Sequence, residues 1–155
     1  MCKIINRAND SAFTVKDAYA TYIAHKDKIY YENTYKCVTG KIGPCTAVGL
    51  RFTNRVGMKH CHPGAGKTQG IEANALDIEK RAGKVLKNIY IFGPDAEDYA
   101  KSLSKKFTGV DIYWLYKNGF VNDGILQVNT QDGEFTARAH ANGKCYTSDD
   151  FTKLV

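Results

Sequence analysis

Between Thr46 and Phe52, Val48, Leu50 and Phe52 alternate with Ala47, Gly49 and Arg51. A period of two marks a strand with one face buried. Thr53-Asn54-Arg55 then leads tightly into Val56-Gly57-Met58-Lys59-His60, so the two segments are predicted to pair as a hairpin. A lone hairpin is marginal in water, and the chain must supply further layers to cover it. Residues 69 to 86 place Ile71, Ala75, Ile78, Ala82 and Val85 on one face with Leu86 beside them, which predicts an amphipathic helix. Asn88 to Phe92 reads as a buried strand, and Gly93-Pro94-Asp95 turns the chain. Asp95 is the expected N-cap of a second helix, with Tyr99, Leu103 and Phe107 at four-residue spacing. Strands return at Val110 to Tyr116 and in a hairpin of Ile125 to Thr130 with Glu134 to Ala139 across Gln131-Asp132-Gly133. This order of strands and helices predicts an α+β fold.

Upstream, Val15, Ala18, Tyr19, Tyr22 and Ile23 fall at helical spacing and predict a helix over residues 12 to 26. Residues 29 to 31 and 35 to 39 read as short strands around a turn at Asn33, and Gly40 to Pro44 as a loop. No repeat or linker divides the chain, so residues 1 to 155 are expected to form a single domain. A domain of this length buries roughly 68–70% of its unfolded surface, enough to fold without a metal or a disulfide framework. The longest apolar runs, such as Ile89 to Phe92, are strand-sized, and Met1 to Arg7 lacks the apolar core of a secretory signal.

Lys and Arg total 22 against 16 Asp and Glu, a net charge of +6 spread along the chain. Such an excess favours an acidic partner in general. It forms no aromatic-interleaved basic stripe, so nucleic acid is not the expected partner. Five cysteines, Cys2, Cys37, Cys45, Cys61 and Cys145, stand at irregular spacing with no Cys-x-x-Cys pair, which predicts free thiols in a reducing compartment and no zinc framework. In His60-Cys61-His62 neighbouring side chains point to opposite faces of a strand, so only the two histidines could readily share a metal. No metal or other cofactor is expected. Gly64-Ala65-Gly66-Lys67-Thr68 imitates the end of a phosphate-binding loop, but Cys61 stands where its first glycine belongs.

The chemistry points to one hairpin. Cys45 follows a glycine loop and opens the first strand, while His60 closes the second, so a turn near Asn54 brings them together. A thiol beside an imidazole is a minimal activated nucleophile. The same spacing also suits a buried thiol and a surface histidine.

Thr39, Gly43, Cys45, Val48 and Gly57-x-x-His60 resemble the Thr-x-x-x-Gly-x-Cys and Gly-x-x-His arrangement of the CheD chemoreceptor glutamine deamidases. The fifteen residues from Cys45 to His60 are similar to the separation in cytotoxic necrotizing factor catalytic domains, a group that includes Burkholderia lethal factor. The resemblance covers roughly residues 35 to 140. It implies a mixed β-sandwich flanked by helices, with a helical segment over 1–28 and a deamidase core over 29–140. It implies Cys45 as nucleophile on a protein glutamine, His60 as base and acid, and Thr39 as the residue orienting the histidine or the substrate. Gly43, Lys59 and Arg51 are expected near the substrate. A bacterial toxin or effector is the expected setting, acting on a folded protein with an exposed glutamine, such as a small GTPase or translation factor. Its compartment would be the bacterial cytoplasm or a host cytosol reached without a cleaved signal. Transglutamination is the alternative outcome of the same thioester, and a basic binding module is the non-enzymatic alternative.

Overall fold

The computed structural model describes residues 20–22, 36–62, 67–82, 86–116, 124–131 and 134–155. Among these residues ten strands run in chain order: β1 (Ala20–Tyr22), β2 (Lys36–Ile42), β3 (Thr46–Arg51), β4 (Val56–Cys61), β5 (Asn88–Phe92), β6 (Asp111–Leu115), β7 (Gly124–Gln131), β8 (Glu134–Ala141), β9 (Lys144–Thr147) and β10 (Thr152–Lys153). Helix α1 (Lys67–Ala82) lies between β4 and β5, and α2 (Ala96–Ser104) between β5 and β6. The fold is α+β.

The strands form two five-stranded sheets, one ordered β1-β2-β7-β8-β9 and the other β10-β6-β5-β3-β4. Both are mixed, since β1 pairs parallel with β2 and β5 parallel with β6 while their other neighbours are antiparallel. One apolar cluster draws Cys37, Leu126, Val128, Ala137 and Ala139 from the first sheet and Ala47, Val56, Met58, Tyr90 and Phe92 from the second. The sheets therefore pack face to face. A second cluster joins Val48, Leu50, Ile89 and Ile91 to Ile71, Ala75, Ile78, Tyr99 and Leu103. Both described helices thus cover the outer face of the second sheet. Strand parity explains the division: Ala47 points between the sheets, and Val48 points to the helices.

Close packing depends on two glycines. A Cβ at Gly49 would come within 2.6 Å of a Val128 methyl in the opposite sheet; one at Gly124 would come within 2.5 Å of the Ile42 carbonyl oxygen on the neighbouring strand of its own sheet and within 3.1 Å of the Phe92 ring in the opposite one. Neither position has room for a side chain.

The β3–β4 hairpin, the helices predicted over 69–86 and after Asp95, and the β7–β8 hairpin occur where the periodicity places them, with boundary shifts of a few residues. Other expectations need correcting. Residues 20–22 are a strand, not the middle of a helix; Thr21 and Tyr22 suit extended backbone, and pairing with β2 satisfies their backbone groups. The rest of the expected helix over 12–26, and the strand over 29–31, lie outside the described residues. β2 continues through Gly40 to Ile42, where a loop was expected, because β7 pairs with it across a register irregularity between Thr39 and Ile42. Asp95 occupies the N-cap of α2 but makes no side-chain capping bond; its carboxylate faces Lys67 at 3.3 Å. Cys145 is disulfide-bonded, so the expectation of five thiols outside disulfides fails there; Cys37, Cys45 and Cys61 are thiols.

Candidate active site

Cys45 sits in the turn that opens β3, just after Gly43 and the exposed Pro44, and its side chain is 3% exposed. The β3–β4 register pairs Thr46 with Cys61 and Ala47 with His60. One step further along, His62 faces Cys45, and His60 stands diagonally from it on the same face. The Cys45 Sγ lies 3.5 Å from His62 Nδ1. The two imidazole rings are 5.3 Å apart, tilted by 53°. One ligand-type atom from each of Cys45, His60 and His62 falls within 4.8 Å of the other two.

The opposite sheet supplies the next residue. Thr39, wholly buried on β2, has its Oγ1 2.8 Å from His60 Nδ1. This contact bridges the two sheets and joins residues 21 apart in sequence. With the ring proton on Nδ1, that nitrogen donates to Thr39 and the Nε2 lone pair is the basic position. His60 is 1% exposed, so its ring orientation is set by packing as well as by this bond. Thr39, Cys45 and His60 thus come together, drawn from two sheets.

Gly93 shapes the same corner from the end of β5. It has φ +148°, and a Cβ there would lie 2.7 Å from the Thr46 Cα and 3.0 Å from the Cys45 carbonyl oxygen. The sequence shows Gly93 only as part of a turn; its approach to the cysteine turn is a tertiary fact.

Lys59 and Arg51 are placed elsewhere. Lys59 points to the helix side of β4, is 2% exposed and donates to Asp77 on α1 at 2.8 Å. Burial alone would push the Asp77 carboxyl up, but hydrogen bonds and charge from Lys59 and Arg81 outweigh it and hold the group below its ordinary range. Arg51 shares the inter-sheet face of Cys45 but ends the strand six residues away, roughly 20 Å by strand rise. There it bonds Asn88 at 3.1 Å and covers the Phe135 ring at 4.7 Å. Arg55 lies over Phe52 at the hairpin turn, and Lys67 pairs with Asp98 at 2.8 Å. Lys59 and Arg51 therefore do not reach Cys45. Gly43 borders the cysteine turn and is half-buried.

The Cys37 and Cys61 thiols face different surroundings. Burial pushes the Cys37 thiol up to about 12, which keeps it protonated at neutral pH. Cys61 is 1% exposed in the helix-side cluster, close to Tyr99. The residue that spacing underrates is His62. A hairpin turn centred between Thr53 and Asn54 pairs position 45 with 62, so the signal was present in the register rather than in a motif.

No protein-family model matches the sequence, and no curated protein is significantly similar to it. The Cys45–His60–His62 cluster is compatible with a cysteine-based catalytic site. No helix among the described residues is long and apolar enough to cross a membrane.

Proposed function

We propose that this protein is a cysteine-dependent hydrolase that deamidates a glutamine side chain on another protein. The observation that carries the reading is the contact between Thr39 and His60 across the two sheets, with the Cys45 sulfur within 4.8 Å of a nitrogen of the same imidazole. A nucleophile, a base and a residue orienting that base are the three parts this chemistry needs. They also occupy the positions singled out by the resemblance to the glutamine deamidases.

In the proposed reaction His60 takes the Cys45 proton, and the thiolate attacks the carboxamide carbon. The imidazolium then gives its proton to the departing nitrogen, which leaves as ammonia, and a thioester remains. Water, deprotonated by His60, attacks that thioester; glutamate forms and the thiol is restored. The sum is glutamine plus water to glutamate plus ammonia. Pro44 has no N–H, so of Pro44 and Cys45 only Cys45 can donate a backbone hydrogen bond to the developing oxyanion. An amine entering in place of water gives transglutamination through the same intermediate.

Incubation with a cell lysate tests the reading. Gln-to-Glu mass changes are expected on particular proteins and should vanish with Cys45→Ser, while addition of a primary amine separates deamidation from amine transfer. Deamidation lost in His62→Ala yet retained in His60→Ala would transfer the base to His62. Cys45→Ser with full activity would end the proposal.

A further inference from the structure

The proposed hydrolysis needs one histidine beside Cys45, whereas the structure supplies two. His60 and His62 are two residues apart on extended backbone, so both turn toward the inter-sheet face. Their donor atoms and the Cys45 sulfur form a set confined within 4.8 Å.

This spacing can be compared with a coordination sphere. Zinc bonds of about 2.3 Å to sulfur and 2.0–2.1 Å to nitrogen, at a tetrahedral angle, put sulfur and nitrogen about 3.5 Å apart. Cys45 Sγ and His62 Nδ1 are already 3.5 Å apart. The other pairs, at most 4.8 Å apart, reach tetrahedral spacing by closing up to about 1.5 Å. Thr39 holds the Nδ1 of His60, leaving Nε2 as the ligating nitrogen. A hydrogen bond to the second ring nitrogen is the support that metal-bound histidines commonly have. One thiolate and two imidazoles suit zinc or another thiophilic transition ion, and are a poor set for magnesium or calcium.

We infer that Cys45, His60 and His62 form a three-ligand site for a zinc-class divalent ion, and that its occupation blocks the cysteine nucleophile reversibly. On binding, Cys45 releases its proton to solvent, a metal–sulfur bond forms, and water remains in the fourth position. The metal-binding part stands on geometry alone; the block on turnover rests on the proposed hydrolase activity.

The metals themselves are the probes. Equilibrium dialysis of the whole chain against Zn²⁺ or Co²⁺ at neutral pH should show one ion per chain, and Co²⁺ should produce a thiolate-to-metal charge-transfer band. Cys45→Ser should abolish the band, and His62→Ala should weaken binding at least about tenfold, with Thr39→Val also weakening it about tenfold. Cys61→Ala should bind as the parent does, since Cys61 faces the helices. In the unsubstituted protein, which avoids any folding defect of a variant, Zn²⁺ should slow iodoacetamide labelling of Cys45 at least about tenfold, with EDTA restoring it. Failure to bind one ion, binding unchanged in Cys45→Ser, or labelling insensitive to Zn²⁺ would each overturn the inference. Metal binding without deamidation supports the site and defeats the hydrolase reading; deamidation without metal binding does the reverse.

Discussion

Replacing Thr39 by valine keeps the shape of a wholly buried side chain and removes the oxygen 2.8 Å from His60 Nδ1. Two effects follow from the position of that bond. A buried nitrogen loses its partner in the opposite sheet, which costs about 1–3 kcal/mol of stability. For a chain of this length that lowers Tm by about 2–10 °C. The second effect concerns charge. When Cys45 gives its proton to His60, the imidazolium Nδ1–H donates to Thr39, and a hydrogen bond to a charged group contributes about 1.5–3 kcal/mol. Its loss reduces the thiolate population about ten- to hundredfold at neutral pH. Iodoacetamide labelling of Cys45, followed by peptide mass spectrometry from pH 5.5 to 9.5, measures this without any substrate. Thr39→Val should label slowly near neutrality and approach the parent rate at high pH, where the thiol ionises without help. A merely structural role would lower Tm and leave the labelling profile unmoved. Identical profiles in the two proteins would refute the argument that Thr39 acts through His60.

Three other outcomes are expected. Lys59→Met should lower Tm by about 2–10 °C, because a buried ion pair loses a partner while Asp77 keeps its 2.8 Å bond to Arg81; calorimetry checks this, and the Cys45 labelling rate should stay at the parent value. Gly93→Ala should cost more than 1 kcal/mol and alter Cys45 labelling, since the new methyl meets backbone at 2.7 Å where φ is +148°; an unchanged melting curve would contradict the close approach. Acid should destabilise the fold, and denaturant titrations across pH 7 to 3 follow it. His140 is held down to about 4 from its ordinary 6.5 by burial and the Arg138 charge. The unfolded chain therefore takes up that proton first, and on the order of 3 kcal/mol is lost as pH falls from 6.5 to about 4. Asp77, held below its ordinary 3.8, contributes stability that persists above that pH and is lost on further acidification. His140→Gln should flatten the upper part of this decline.

Local periodicity and turn chemistry carry much of this protein. Alternation in β3, the Thr53–Asn54 turn and Gln131-Asp132-Gly133 are short-range signals, and each specifies its hairpin before any tertiary contact exists. Parity on those strands also separates Cys45, His60 and His62 from Cys61 and Lys59, since adjacent residues of a strand must face opposite ways. What lay beyond the sequence was the identity of the surface each face meets. Lys59, next to a candidate catalytic histidine, becomes a buried partner of Asp77 because α1 packs on the far side of β4. Arg51 has the same parity as Cys45 but ends the strand far from it, and strand length rather than residue type separates them. Gly93 meets the cysteine turn only because β5 pairs with β3. Thr39 reaches His60 only because the two sheets stack; that packing is a sum of many apolar contacts spread along the chain, which no local pattern of residues encodes.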